Sequence, residues 1–400
     1  MVDSAKNCAR HALSSAAREI KLEPPAPPHS SRLIVDCDAI AANYHRLVER
    51  VAPAKCGAVI KANAYGLGVA EVAAALRQAG CRVFFVARLG EAIQLRRMTG
   101  SGCDIIILNG LEPGREAACA DAGFIPALNS ASQLAAWRVH ARSAARALPA
   151  ALQVDTGMSR LGLSPDAALK AANDPTLAKE VDLKLLMTHL ACGDEPARGE
   201  NEKQLRRFEA IAAHFVGVPK SVSNSAGAFL PRTFHRDVVR AGVALLGVAP
   251  VAEAMSLQSV VRLDARILQI RTIEAGTGVG YGLDHVAPGS QRLATIAMGY
   301  ADGWPRTLGG KGAAWHEGVR LPIVGRVSMD SLTINISALA EDCLSEGDFV
   351  ELLGPSQSLA DVASDAGTIA YEILTGLGPR HARFVTENGR MRAVNERVAA

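Results

Sequence analysis

The stretch Ala58-Val-Ile-Lys61-Ala-Asn-Ala-Tyr65-Gly-Leu-Gly68 combines a short apolar run, a lysine and two glycines. The apolar residues predict a buried strand that delivers Lys61, and the pattern from Val69 to Leu76 predicts a helix after the glycines. A lysine at the carboxyl end of a parallel strand lies where α/β proteins bind ligands. Apolar surroundings can remove its charge and make the amine a nucleophile. The simpler alternative is a strand-end lysine that reaches into solvent.

The same alternation of strand and helix recurs through the first part of the chain. An opening strand at 33–36 is followed by a helix at 39–51, for which Asp38 is the predicted cap. Eight such repeats then predict a closed (β/α)8 barrel of the TIM type, and an open sheet with extra strands is the alternative. The eight apolar runs are Gly57–Lys61, Val83–Ala87, Asp104–Leu108, Ile125–Leu128, Ala151–Val154, Leu183–His189, Ser221–Asn224 and Val238–Leu246.

After about residue 261 the pattern changes to short apolar runs separated by glycine-rich turns, which predicts a mostly-β domain. One helical pattern follows, at Leu359–Leu374. We therefore expect an α/β protein with three parts: an N-terminal extension over 1–30, a barrel over 31–262 and a C-terminal β domain over 263–400. The predicted strands of this last domain are Ala265–Ile273, Arg292–Met298, Val319–Val327, Leu332–Ile336 and Phe349–Leu353.

Composition excludes several classes of protein. The 400 residues carry a formal net charge of only +3, which argues against a nucleic-acid partner. No apolar run approaches the ~18 residues of a membrane span, and no secretory signal opens the chain. The 8 cysteines form no C-x-x-C pair, so we expect reduced thiols in a cytoplasmic protein and no metal site.

Polar residues lie at or just after the carboxyl ends of several predicted barrel strands, and Arg240 lies within the strand that begins at Val238, so they should share one mouth of the barrel with Lys61. The small residues at 225–227 and 242–243 could offer backbone N–H groups to a phosphate. A phosphorylated aldehyde cofactor, bound covalently to the lysine, fits this combination of groups. His189 taken alone would more often be a hydrogen-bonded core histidine. The residues in question are Asp155, Thr156, Arg160, His189, Asn224, Ser225 and Arg240.

Six motifs, in order and spanning nearly all of the chain from Arg32 onward, resemble those of the alanine racemase family. These enzymes use pyridoxal phosphate and combine a barrel with a C-terminal β domain. The motifs are Val59-Ile-Lys-Ala-Asn-Ala-Tyr-Gly-Leu-Gly68, Val154-Asp-Thr-Gly-Met-Ser-Arg-Leu-Gly162, Val238-Val-Arg-Ala-Gly-Val243, Val279-Gly-Tyr-Gly282, Met298-Gly-Tyr-Ala-Asp-Gly-Trp304 and Gly325-Arg-Val-Ser-Met-Asp330.

The resemblance implies a role for each matching residue. Lys61 would hold the cofactor and act as one catalytic base, and Tyr281 of the partner subunit would be the second base in a homodimer with shared active sites. Arg240 would face the pyridine nitrogen, and His189 would hydrogen-bond toward Tyr281. The remaining cofactor-binding residues would be Tyr65, Asn224, Ser225, Gly242, Val243 and Tyr371. The substrate-binding residues would be Arg160, Met329, Tyr300 and Asp330.

The expected reaction is the interconversion of L-alanine and D-alanine, either supplying D-alanine for peptidoglycan or catabolising it. A broad-specificity racemase is the alternative, and a pyridoxal-phosphate decarboxylase or a cofactor carrier are further alternatives. Arg240 argues against the decarboxylase, and the β domain with Tyr281 argues against the carrier. Tyr281 and Tyr300 could otherwise be ordinary turn or core tyrosines. Gln153 departs from the family, in which a lysine that is often carbamylated precedes the Asp155 motif, so what orients Arg160 is an open question.

Overall fold

The computed structural model describes residues 29–251 and 256–394. The described chain begins with strand β1 (Ser31–Asp36) and helix α1 (Cys37–Val51). Most of the predicted N-terminal extension over 1–30 lies outside the described residues.

Eight parallel strands form a barrel, as the apolar runs predict. Their order is β8-β7-β6-β5-β4-β3-β2-β9. Backbone hydrogen bonds of 3.0 Å from Asp237 N to Lys220 O and from Arg240 N to Ser223 O join the two outer strands, so the ring closes. The strands are β2 (Lys55–Val59), β3 (Val83–Val86), β4 (Asp104–Ile107), β5 (Ile125–Leu128), β6 (Leu148–Gln153), β7 (Val181–Met187), β8 (Lys220–Ser221) and β9 (Val238–Ala241).

Helices pack around the barrel on the outside. Small residues such as Ala127 and Ala151 alternate inside it with Phe85 and Met187, so the barrel interior is a packed core. The segment α2 (Lys61–Tyr65) is a short left-handed turn at the end of β2. The helices that follow α1 are α3 (Val69–Gln78), α4 (Leu89–Thr99), α5 (Glu116–Asp121), α6 (Ala131–Ser143), α7 (Pro165–Ala172), α8 (Leu177–Glu180) and α9 (Gly199–Ala212).

The second half of the chain is mostly β, as its pattern predicts. Six strands of this domain are hydrogen-bonded in the order β13-β16-β15-β14-β17-β10, and β10 also pairs with β13, so the six form a closed ring. The elements are β10 (Val261–Ile273), β11 (Gly278–Val279), β12 (His285–Val286), β13 (Gln291–Ile296), β14 (Ala313–His316), β15 (Val319–Val324), β16 (Leu332–Asn335), β17 (Phe349–Leu353), α10 (Leu359–Ala366), α11 (Ala370–Gly376), β18 (Ala382–Glu387) and β19 (Arg390–Ala393).

Three local predictions are wrong. Strand β1, predicted to open the barrel half, instead pairs with β10 and β18 in the sheet of the β domain. The N-cap of α1 is Asp36, whose Oδ1 accepts from Ala39 N at 2.9 Å, while Asp38 accepts from the backbone of the β18–β19 turn. The helix predicted at 359–374 is broken at Gly367, where φ is +73°, and forms α10 and α11.

Candidate active site at the barrel mouth

Lys61 lies two residues beyond the end of β2, where it begins an unusual turn. The next four residues, 62–65, have φ between +53° and +55°, although none of them is glycine. This left-handed turn reverses the chain and buries the side chain of Tyr65, while Lys61 stays half-buried. Burial lowers the pKa of the Lys61 amine, and the positive charge of Arg160 lowers it further, although Glu91 opposes the shift. A lysine in this setting loses its proton more readily than a lysine in water.

A cavity of about 400 Å³ opens beside Lys61 at the carboxyl ends of the barrel strands. We call it the mouth cavity. Three basic side chains line it, those of Lys61, Arg160 and Arg240, and none of its described lining residues is a carboxylate. Anionic groups are therefore the natural occupants. The other lining residues are Val59, Tyr65, Leu108, Asn109, Gln153, Leu161, Met187, His189, Asn224, Ser225, Gly242 and Tyr371.

Arg240 is fully buried on β9, and burial lowers its pKa to about 10. It donates to neutral oxygens, Ser221 Oγ at 2.6 Å and Thr188 O at 2.7 Å. Its Nη2 also lies 3.2 Å from His189 Nδ1. Because a guanidinium only donates, Nδ1 must accept, so the proton of the neutral imidazole lies on Nε2.

His189 stays neutral in this environment. Burial, and then the charges of Arg240, Arg160 and Lys61, lower its pKa to about 3. Its imidazole therefore offers one N–H donor, on the side away from Arg240.

Small residues and two tyrosines form another part of the mouth cavity. Ser225 Oγ accepts from Gly242 N at 2.7 Å, and a Cβ on Gly242 would lie 2.3 Å from Tyr65 Oη. Only glycine therefore allows the tyrosine to come so close. The rings of Tyr65 and Tyr371 lie 6.2 Å apart, so α11 of the β domain contributes to the mouth of the barrel.

Arg160 reaches the mouth cavity from an exposed loop between β6 and α7. Gln153, at the end of β6, donates from Nε2 to Leu161 O at 3.0 Å, so it contacts the backbone of the loop that carries Arg160. Asp155 Oδ1 accepts from the N–H groups of residues 157–159. Asp155 and Thr156, expected at the mouth, do not line the cavity; Asp155 shapes the loop, and Thr156 contacts Thr188 Oγ1 at 2.7 Å.

The predicted residues fall into two groups. Nine of them line the mouth cavity, and Val243 is buried beside Gly242. The subunit does not bring Tyr281, Tyr300, Met329 and Asp330 into that cavity. These four residues lie at exposed positions of the β domain, and the Tyr281 side chain is 72% exposed.

Several lining residues were not predicted. Asn109 follows β4 by two residues, so a polar residue just beyond a barrel strand was a usable signal. Leu108 and Met187 carry no such signal, because apolar residues at strand ends resemble core residues. Within residues 29–251 and 256–394, no group of His, Cys, Asp and Glu side chains could hold a metal ion. No helix in the same ranges is both long and apolar enough to cross a membrane.

The fold and the mouth cavity define a class of protein, barrel-plus-β enzymes whose site suits an anionic cofactor beside a lysine. Family models for the N-terminal and C-terminal domains of alanine racemase match residues 35–250 and 260–385. The chain belongs to the alanine racemase family.

Individual relatives agree with this assignment. The catabolic alanine racemase of Mesorhizobium japonicum is 51% identical over 88% of this chain and 93% of its own length. The alanine racemase of Brucella canis is 46% identical over 89% of this chain and 94% of its own length. A crystal structure of alanine racemase from Bartonella henselae, with covalently bound pyridoxal phosphate, is 43% identical with a TM-score of 0.86, covering 90% of this chain and 100% of that one.

Proposed function

We propose that the mouth cavity is where this enzyme interconverts L-alanine and D-alanine with pyridoxal phosphate. We further propose that Lys61 and Tyr281 of the partner subunit are the two bases. One observation carries the assignment: three basic side chains converge on a lining without a carboxylate. The cofactor phosphate and the substrate carboxylate are both anionic, so this charge arrangement suits them.

The residues of the mouth cavity fit the cofactor. Ser225, Gly242 and Val243 with Tyr65 and Tyr371 would hold the phosphate, because small residues and phenolic hydroxyls surround that side. Asn224 Oδ1 accepts from Gly227 N at 2.9 Å and so shapes the loop beside it. Pyridoxal phosphate held here would withdraw electrons from the substrate Cα and make its proton removable, and the Lys61 amine, released when the substrate amine takes its place on the cofactor, would be free to act as a base.

Arg240 would face the pyridine nitrogen. A guanidinium donates hydrogen bonds and does not give up its proton, so it leaves that nitrogen largely unprotonated. The buried acceptors around Arg240 fix the plane of the guanidinium, which makes it a fixed donor in the cavity wall.

Racemisation removes a proton from one face of Cα and returns one to the other, so two bases on opposite faces can do it in place. Lys61 would serve the first face, since its lowered pKa favours the neutral amine that accepts a proton. Tyr281 of the partner subunit would serve the other. The Nε2–H of neutral His189 is a donor available to the oxygen of that tyrosine.

The shared site requires a dimer. The β domain exposes several large apolar or aromatic side chains near the proposed second base, and such clusters mark interaction surfaces. In a homodimer with shared sites, this surface would cover the partner's mouth cavity. The residues in question are Tyr281, Leu283, Val286, Tyr300 and Met329.

Substrate recognition would combine the two parts. Arg160, which lines the mouth cavity, would bind the substrate carboxylate. Tyr300 and Met329 of the partner subunit would limit the side chain to the size of alanine, and Asp330 would lie at the entrance. A broad-specificity racemase would need more room at this position.

We also propose a catabolic role in the cytoplasm. The relatives from Mesorhizobium japonicum and Agrobacterium fabrum, 51% and 47% identical, are both named catabolic alanine racemases. Deleting the gene should slow growth on alanine without creating a requirement for D-alanine. A strain that requires D-alanine would point to a biosynthetic role instead.

The test is racemisation of L-alanine in heavy water with pyridoxal phosphate, with L-serine, L-lysine and L-arginine in parallel. We expect loss of optical rotation together with deuterium at Cα, fastest for alanine. Comparable rates on the larger amino acids would support a broad-specificity racemase. Dilution of the enzyme should abolish activity as the dimer dissociates, and a fully active monomer would contradict the shared site.

A further inference from the structure

The left-handed turn after Lys61 needs external support. A residue other than glycine in this conformation costs about 1–2 kcal/mol, and four consecutive residues adopt it here, at 62–65. Such backbone persists only where the surrounding structure determines it. The contacts that hold the turn therefore also fix the direction in which Lys61 leaves the backbone.

The glutamate Glu91, in the first turn of α4, supplies the contact nearest to Lys61. Its Oε1 accepts from Ala62 N at 2.8 Å, which is the peptide immediately after the lysine. Its Oε2 accepts from Ala87 N at 2.7 Å and from Arg88 N at 3.1 Å. One carboxylate thus joins the beginning of the turn to the end of β3, through charge-assisted hydrogen bonds.

The far end of the turn is held separately. Asn63 Oδ1 accepts from Val69 N at 2.9 Å, and Asn63 O accepts from Gly68 N at 3.0 Å. These bonds connect the turn to α3 and act after residue 62. Glu91 is therefore the side chain that fixes the lysine's own end of the turn.

We propose that Glu91 is a positioning residue for Lys61: it holds the left-handed turn so that the lysine amine points into the mouth cavity. Glu91 does not line the mouth cavity, so its hydrogen bonds act on Lys61 through the backbone, beside the effect of its charge on the lysine amine. The inference rests on the role proposed for Lys61.

Glu91→Ala and Glu91→Gln test this role against ordinary helix capping. The amide oxygen of glutamine can accept either from Ala62 N or from the N–H groups of Ala87 and Arg88, but its NH₂ group cannot accept from the other. The glutamine variant should therefore keep part of the function. The matched control is Asp361→Asn, since Asp361 occupies the same capping position of α10 and accepts from Ser358 N at 2.9 Å.

Three quantities should be measured on the full-length holoenzyme: Tm, the rate of pyridoxal phosphate loss during dialysis, and kcat. All three variants should lower Tm. Only the Glu91 variants should speed cofactor loss and lower kcat. We expect kcat of Glu91→Ala to fall by roughly 10²-fold, because a small misplacement of a reacting group has effects of that size. Glutamine should lie between alanine and the parent.

Glu91 variants that match Asp361→Asn in every quantity would overturn the proposal. If Glu91→Ala does not fold, the glutamine variant decides the matter by the same comparison. Lys61→Ala, measured in parallel, separates this inference from the proposed function. Loss of bound cofactor in Lys61→Ala with none in the Glu91 variants refutes only the role of Glu91. Full retention in Lys61→Ala refutes the role of Lys61 itself.

Discussion

The segments that carry the two proposed bases are built in opposite ways. Lys61 precedes a turn of ordinary residues forced into the left-handed conformation, and hydrogen bonds to the side chains of Glu91 and Asn63 hold its two ends. Tyr281 lies between Gly280 and Gly282, with φ of +73° and +78°, where glycine adopts such angles without strain. Its side chain is 72% exposed.

This difference indicates where each half of the reaction obtains its geometry. Contacts within a single subunit fix the position of Lys61. The loop around Tyr281 is held by the two-residue ladder of β11 with β12 and by the ion pair of Asp284 with Arg326. On our proposal, the second base therefore becomes fixed only when the partner subunit covers it. Substitution of Lys61 should therefore abolish racemisation. Substitution of Tyr281 or of its neighbours should instead change the rates of proton transfer in the two directions unequally.

Lys61→Ala should have the largest effect. Without the amine there is no covalent attachment and no base on that face, so turnover should fall to background. Protein-bound cofactor absorbance after dialysis measures the first loss, and racemisation measures the second. Lys55→Ala is the matched control, since Lys55 begins the same strand at its opposite, exposed end. Bound absorbance and activity in the Lys61 variant would contradict the assignment.

Tyr281→Phe should retain the cofactor and damage one direction of proton transfer more than the other. Deuterium incorporation from heavy water, started separately from L-alanine and D-alanine, measures the two directions. Tyr300→Phe, a change of the same size at an exposed tyrosine of the same domain, should affect both directions alike. Equal losses in both directions for the Tyr281 variant would count against the two-base scheme.

Much of this arrangement could be predicted from the sequence. Strands buried in a barrel produce continuous apolar runs, so all eight were found in order. The polar residues in or just after the ends of those runs identified His189, Arg240 and Ser225, because the carboxyl ends of parallel strands meet at one mouth.

The remainder depends on contacts between residues that are distant in the chain. The segment Ala-Asn-Ala-Tyr65 favours an ordinary right-handed helix locally, and hydrogen bonds such as that from Ala62 N to Glu91 override this preference. Strand β1 looks like a barrel strand until its partners β10 and β18 are known. The sequence left open what orients Arg160, and the partner of Gln153, Leu161 O, becomes known only from the path of the loop backbone.

The buried, neutral His189 should make the free energy of unfolding depend on pH. Its pKa is about 3 in the folded protein, whereas a histidine in water has a pKa of about 6.5. Between these values only the unfolded state binds the proton, so the free energy of unfolding should fall as pH drops from about 6.5 toward about 3. The slope approaches ~1.4 kcal/mol per pH unit.

His189→Gln should flatten this decline. Urea denaturation of the parent and the variant at pH 8, 7, 6 and 5, without added cofactor, measures their free energies of unfolding. The difference in free energy between the two proteins at pH 8 is the reference for the differences at lower pH. Parallel pH profiles for the parent and the variant would show that His189 is not the group responsible.

Asp284→Asn should have the smallest effect and the most specific one. Arg326 Nη2 donates to Asp284 Oδ1 at 3.1 Å, and a second contact joins Arg326 Nε to Oδ2. Both side chains are nearly half exposed, so the pair should contribute about 0.2–1 kcal/mol. If that energy restrains the Tyr281 loop, the variant should lose up to roughly 5-fold in kcat/KM.

A double-mutant cycle separates this restraint from general destabilisation. In the Tyr281→Phe background, Asp284→Asn should have no further effect, because the group it restrains is already gone. Lys203→Gln breaks an exposed pair with Glu200 on α9 and should leave kcat/KM unchanged in both backgrounds. Equal losses from Asp284→Asn with and without the tyrosine hydroxyl would mean that the ion pair acts elsewhere. The loop that carries Tyr281 would then obtain its geometry from the partner subunit and not from the ion pair.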